Sequence, residues 1–154
     1  MATKCLTYKI YIKTLKTRQT EPASVAFTAQ LSHDIGHLGS NEAIIFDKVV
    51  TNHGNGYESQ TGHFTAPVAG IYHFTTTVMA YGDENVHIQI VKNGNEIARG
   101  YTSSIDFETS VAVVIVQMAA GDRVWVRHFF DTTTPHIHGL GYTSFSGFLI
   151  TSEF

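Results

Sequence analysis

The chain has 154 residues, 43% of them hydrophobic, with a formal net charge of −3, which suits one compact domain with a real core and argues against a second. No stretch approaches the roughly 18 consecutive apolar residues of a membrane span, and the N-terminus lacks the apolar run of a secretory signal. Residues 1–18 hold Lys4, Lys9, Lys13, Lys16 and Arg18, leaving five basic and all thirteen acidic residues to the remainder, a balance of −8; so acidic a body argues against nucleic acid as a partner.

The basic arm alternates Leu6, Tyr8, Ile10 and Ile12 with Thr7, Lys9, Tyr11 and Lys13, the period of a strand with one apolar face. It also carries the single cysteine, Cys5. One thiol excludes an internal disulfide framework and a thiolate zinc cluster, and leaves an interchain disulfide or a free thiol. Residues 17–24, TRQTEPAS, read as a linker. The division expected is therefore an arm and linker over 1–24 and a globular domain over 25–154.

From Val25 onward, β-branched and aromatic runs alternate with Gly, Asn, Asp and Pro clusters, with no sustained helical period. Strands are predicted at 25–31, 44–51, 62–66, 70–81, 85–92, 95–102, 109–118, 122–130 and 143–150. Lys92-Asn93-Gly94-Asn95 is a strong hairpin signal, because Asn and Gly accept the positive φ of a tight turn. A second tight connection is expected over 119–122. Strand 109–118 is apolar on both faces, Val111, Val113 and Ile115 on one and Ala112, Val114, Val116 and Met118 on the other. Strand 70–81 shares this in part. With no helix to cover the outer face, a symmetric subunit interface is the simplest cover.

Several runs in order, Val25-Ala26-Phe27, Phe46-Asp47-Lys48-Val49, Gly62 to Phe74, Lys92-Asn93-Gly94, Gly121 to Val126 and Phe145-Ser146-Gly147-Phe148-Leu149, resemble the globular head domain of complement C1q, a relative of the tumour necrosis factor fold. The resemblance spans about residues 24–151. It implies an all-β, ten-stranded jelly-roll β-sandwich that assembles as a homotrimer or higher oligomer, with Phe27, Tyr72, Phe74, Val113, Ile115, Phe145 and Phe148 in the interface or core. The segment before the domain has no Gly-X-Y period, so the chain looks like a head-only member. Such members are abundant in the innate immunity of invertebrates such as bivalves, where many act as lectins or pathogen-recognition proteins, and the resemblance implies a secreted, extracellular protein.

Enzyme signatures are poor. Gly54-Asn55-Gly56 and Gly139-Leu140-Gly141 lack the third glycine of a dinucleotide fingerprint, and there is no HExxH, P-loop or nucleophile elbow. The protein is expected not to be an enzyme. Of nine histidines, His136 and His138 share one side of an extended segment, but a metal needs further ligands from another loop or subunit.

The family's antiparallel order is taken to gather loops 32–43, 52–62, 81–86, 103–109 and 131–142 at the end of the domain away from the 93–95 and 119–121 turns. Ligand contacts are expected from His53, Asn55, Tyr57, Glu58, Asp106, Asp131, His136, His138 and Tyr142. That mixture suits sugars, N-acetylated or sialylated among them, and is compatible with calcium, which some family members resemble in holding near the trimer apex. The expected function is a glycan-binding recognition lectin. The alternative is a cytokine-like or structural trimer that binds protein.

Overall fold

The structure, a computed structural model, describes residues 23–129 and 136–153. Ten strands follow in order: β1 (Ala26–Gln30), β2 (Lys48–His53), β3 (Tyr57–Glu58), β4 (His63–Thr65), β5 (Gly70–Met79), β6 (Val86–Lys92), β7 (Asn95–Thr102), β8 (Thr109–Met118), β9 (Arg123–His128) and β10 (Ser144–Ser152). They form two antiparallel five-stranded sheets of order β2-β1-β10-β5-β8 and β3-β4-β9-β6-β7, the expected jelly roll. Cys5 and the arm lie outside the described residues, as does Asp131.

Strand alternation becomes burial alternation. On β5, Tyr72, Phe74, Thr76 and Val78 are buried, whereas Ile71, His73, Thr75 and Thr77 face outward. The core between the sheets is aromatic: the Phe27 ring stacks 4.9 Å from Tyr57 and 5.0 Å from Phe64, and meets Phe145 edge-on at 4.9 Å. Such pairs contribute about 0.5–1.5 kcal/mol each beyond the area they bury. Phe27, Tyr72, Phe74 and Phe145 are therefore core, while Val113, Ile115 and Phe148 are exposed on the outer face of the β5–β8 sheet.

Two expectations need correction. Residues 44–51 are not one strand. Segment 42–44 lies beside β9, with the His128 amide donating to the Glu42 carbonyl (2.9 Å) and the Ile44 amide to the Val126 carbonyl (2.9 Å). The chain then crosses to the other sheet before β2 begins, and both Ile44 and Phe46 are buried on the way. The second correction is β3, two residues too short to carry a period. The Asn93-Gly94 hairpin stands as expected, with φ of 50° and 87°. The 119–122 turn joins two strands of different sheets, β8 and β9.

The pairing register defines two ends. Gln30 lies opposite both Lys48 and Ser144, and Met79 opposite Thr109, at the far end. Ala26 lies opposite His53, and Gly70 opposite Met118, at the base. The loops 31–47, 80–85, 103–108 and 136–143 therefore belong to the far end.

Candidate functional site

Four far-end segments are stitched together by backbone hydrogen bonds. Ile35 and Ile137 exchange amides and carbonyls at 3.0 and 2.8 Å, Ala80 donates to Glu108 (2.8 Å), and Phe107 donates to Ala80 (3.1 Å). Ile137 plugs the core. Its neighbours His136 and His138 consequently project to the same side, as period-2 spacing demands. Gly139 permits the closure: a Cβ there would stand 2.1 Å from the His33 backbone.

His138 is the centre of an aromatic patch. Its ring stacks on Phe107 at 5.0 Å, and meets Tyr81 at 4.4 Å and Tyr142 at 6.1 Å. Nδ1–H of His138 donates to Asp34 Oδ1 (3.1 Å), which also accepts the Gly139 amide (2.8 Å). That amide, with the His138 ring behind it, holds the Asp34 carboxyl below the usual carboxylate range against the opposing effect of burial. His136 packs edge-on to His37 at 5.1 Å. Phe107 is 59% exposed and Leu140 73%, and both adopt a left-handed backbone, φ 64° and 51°. Bulky residues held there store about 1–3 kcal/mol of strain each, a feature that clusters at functional sites.

Of the nine residues expected to contact ligand, the structure brings His136, His138, Tyr142 and Asp106 to this end. Asp106 is engaged in shaping its loop, accepting the Gly82 amide (2.8 Å). His53 and Asn55 are at the base, because β2 descends from the far end and its exit must lie opposite its entrance. Glu58 sits on the side of the domain, bonded by Thr61. Tyr57 is not a surface residue: it is buried against Phe27, and its hydroxyl donates to the Phe46 carbonyl (3.0 Å). Burial raises its pKa above the ordinary phenol value. Tyr81, Phe107 and Leu140 are the residues that loop chemistry missed. For Phe107 and Leu140 the signal available was a large apolar side chain in a segment with no strand pattern; Tyr81 was hidden at the end of the predicted strand 70–81, whereas β5 stops at Met79. Among the described residues, no three His, Cys, Asp or Glu side chains converge in a metal-binding arrangement, and no helix is long and apolar enough to cross a membrane.

The fold and this patch define a two-sheet jelly-roll domain that presents an irregular aromatic surface at one end. A model of the C1q domain matches residues 26–150, and the chain belongs to the C1q domain family. It is 34% identical over 129 residues to human complement C1q tumor necrosis factor-related protein 3, covering 82% of this chain and 51% of that protein. It is 32% identical over 130 residues to the heavy metal-binding protein HIP of Mytilus edulis, covering 82% and 60%. The chain thus spans about half the length of the curated relatives it matches. Among solved structures, the globular domain of zebrafish complement 1qA superposes with a TM-score of 0.68 at 17% identity, over 84% of this chain and 99% of that one. The Eiger TNF of S. frugiperda superposes at 0.71 with 12% identity, over 87% and 96%.

Proposed function

We propose that this chain is a secreted, non-enzymatic, homotrimeric recognition protein whose far-end loops bind surface glycans. The observation that carries the reading is the far-end patch of Tyr81, Phe107, His138 and Tyr142. The rings of Tyr81, Phe107 and Tyr142 are exposed around the largely covered His138, and exposed rings beside hydrogen-bonding groups suit a sugar, which offers a C–H face to an aromatic ring and hydroxyls to polar neighbours.

Trimerisation is supported by the outer face of the β5–β8 sheet, where Val113 is 55% and Ile115 63% exposed beside Val111, Ile71 and Phe148. A contiguous apolar face of this kind marks an interaction surface, and closed symmetry covers it with a second and third copy. Valency then supplies strength. One millimolar sugar site contributes only about −4 kcal/mol, and several sites on a rigid body raise avidity by roughly 10² to 10⁴.

The Mytilus edulis relative is named for heavy-metal binding. In this chain His37 and His136 pack edge-on, and among the described residues no group of three His, Cys, Asp or Glu forms that could hold an ion, where a closed site needs about four ligands.

The test is a glycan array with the full chain, with and without a chelator, after its mass is established by light scattering. A trimer that binds one sugar class saturably, and is inhibited by the free sugar, is the expected result. A trimer that binds no glycan in either buffer would overturn the lectin reading and turn the search to protein receptors.

A further inference from the structure

The loop between β1 and β2 encloses a cleft of about 300 Å³ beside the aromatic patch. Ile35, Leu38 and Ile45 supply apolar walls, and Glu42, Asp47 and His33 stand around them. Both sides are braced. Ile35 is pinned to Ile137, and Glu42 to β9 through the His128 amide. The carboxylates are also held in place: Glu42 Oε2 accepts the Gly39 amide (2.7 Å), and Asp47 accepts the Ser32 amide (2.9 Å) and the Ser32 hydroxyl. Burial pushes the Asp47 carboxyl up, but the two Ser32 bonds outweigh it and leave Asp47 below its ordinary value, hence ionised at neutral pH.

The far-end loops are acidic. The loops 31–47, 80–85, 103–108 and 136–143 contain Asp34, Glu42, Asp47, Asp83, Glu84, Asp106 and Glu108 and no lysine or arginine. The cations that adjoin the cleft are Lys48, next to Asp47 in the chain, and Arg127, across the β-bridge from Ala43, whose guanidinium donates to Gln89. Such a surface concentrates cations and repels anions. The volume is at the small end for ligand sites, and its walls would pack against the C–H face of a pyranose ring.

We propose that this cleft takes a hexosamine unit bearing a free, protonated amine, as in a deacetylated chitin-type glycan, with the ammonium received by Glu42 and Asp47 and the ring laid on Ile35 and Ile45. The proposal rests on the glycan-binding reading and narrows it: sialylated sugars, whose carboxylate would meet like charges, become the poorest ligands rather than candidates. Removing one charge-assisted contact lowers affinity by about tenfold or more.

The test is calorimetric titration of the full-length protein at mildly acidic pH, where an amino-sugar amine is protonated, with three probes: a fully deacetylated chitosan trimer, N-acetylated chitotriose, and sialyllactose. The expected order is deacetylated first, acetylated about tenfold weaker, and sialylated weakest, with the first affinity falling as sodium chloride is raised. Glu42→Gln keeps an oxygen to accept the Gly39 amide while removing the charge, and should narrow the gap between the deacetylated and acetylated trimers; Asp47→Asn is the second variant, checked for retained Tm, and should narrow it likewise. Equal binding of both trimers by the unaltered protein, or a preference untouched by either variant, overturns the proposal. If the array glycans still bind in that case, the lectin reading stands; if no saccharide binds at all, both fall.

Discussion

At the scale of single residues, Phe107 separates stability from recognition. Its ring is mostly exposed and its backbone lies in the left-handed region, where glycine is at ease and a phenylalanine is strained by about 1–3 kcal/mol. Phe107→Gly is therefore expected to leave Tm unchanged or raise it while weakening glycan binding about tenfold or more, read by thermal unfolding and array titration on one preparation. Loss of Tm with binding intact would remove Phe107 from the site. The histidines of the second sheet give a pH prediction. Burial, then the Arg123 charge, lowers the His63 pKa; burial, then the His128 and Arg99 charges, lowers that of His87. A histidine whose folded pKa lies below its unfolded value binds fewer protons when folded, so its stabilising effect is present above the unfolded pKa and is lost as pH falls through the folded one. Tm is expected to drop between about pH 7 and pH 5, and a His63→Gln/His87→Gln variant to flatten that interval. A second loss at stronger acid should survive in the variant, since Asp34, Asp47, Glu96 and Asp122, the last held at about 2 by Asn93 and Lys92, all stay ionised below the usual carboxylate range. An unchanged slope between the two pH values in the variant would show that other groups carry it.

At the scale of elements, the far end depends on two extended segments meeting without a side chain between them. Gly139 lies against the His33 backbone, and the Ile35–Ile137 bridge depends on that approach. Gly139→Ala must push the 33–35 and 137–139 segments apart, at a cost of about 1–3 kcal/mol. The expected outcome is a lower urea midpoint, with faster amide hydrogen exchange confined to residues 33–37, 79–81 and 136–140. Protection unchanged in those segments would mean that they are held by other contacts. The strands themselves were mostly legible from their alternation: β5, β8 and the β6–β7 hairpin follow from hydrophobic period and Asn-Gly chemistry. The 42–47 crossover was not, because Ile44-Ile45-Phe46 has the composition of a strand, while the Ile44 amide donates to Val126 of β9 in the other sheet and the Phe46 carbonyl accepts the Tyr57 hydroxyl. Composition records which residues avoid water. It does not record which neighbour they avoid it against.

At the scale of the whole molecule, the outer face of the β5–β8 sheet is the feature an isolated domain leaves unexplained. Val113 lies opposite Thr75, and Ile115 opposite His73, so a charge at either position lands in the middle of the face. Val113→Asp or Ile115→Asp is expected to yield a folded monomer by light scattering, with unaltered far-ultraviolet circular dichroism and glycan avidity lower by roughly 10². Persistence of the oligomer in both variants would place the interface elsewhere on the surface. Tyr57 shows why the site was only half visible in advance. In sequence it sits in a polar loop between Gly56 and Glu58, and polar loops are exposed more often than not. In the structure it fills the core beneath Phe27.

The sequence by itself determined the fold class, the presence of nine of the ten strands, with the second begun too early, the hairpin and the family, because these follow from local period, turn chemistry and motifs in order. The tertiary structure decided which loops share an end, that Tyr57 is core while Phe107 and Tyr81 are surface, and that Asp34 reaches across 104 residues to His138. The reason is physical. A strand's alternation is written in adjacent residues, but the end at which a loop emerges depends on how many strands precede it and on which sheet each one joins, and those pairings are long-range choices that no short window of sequence contains.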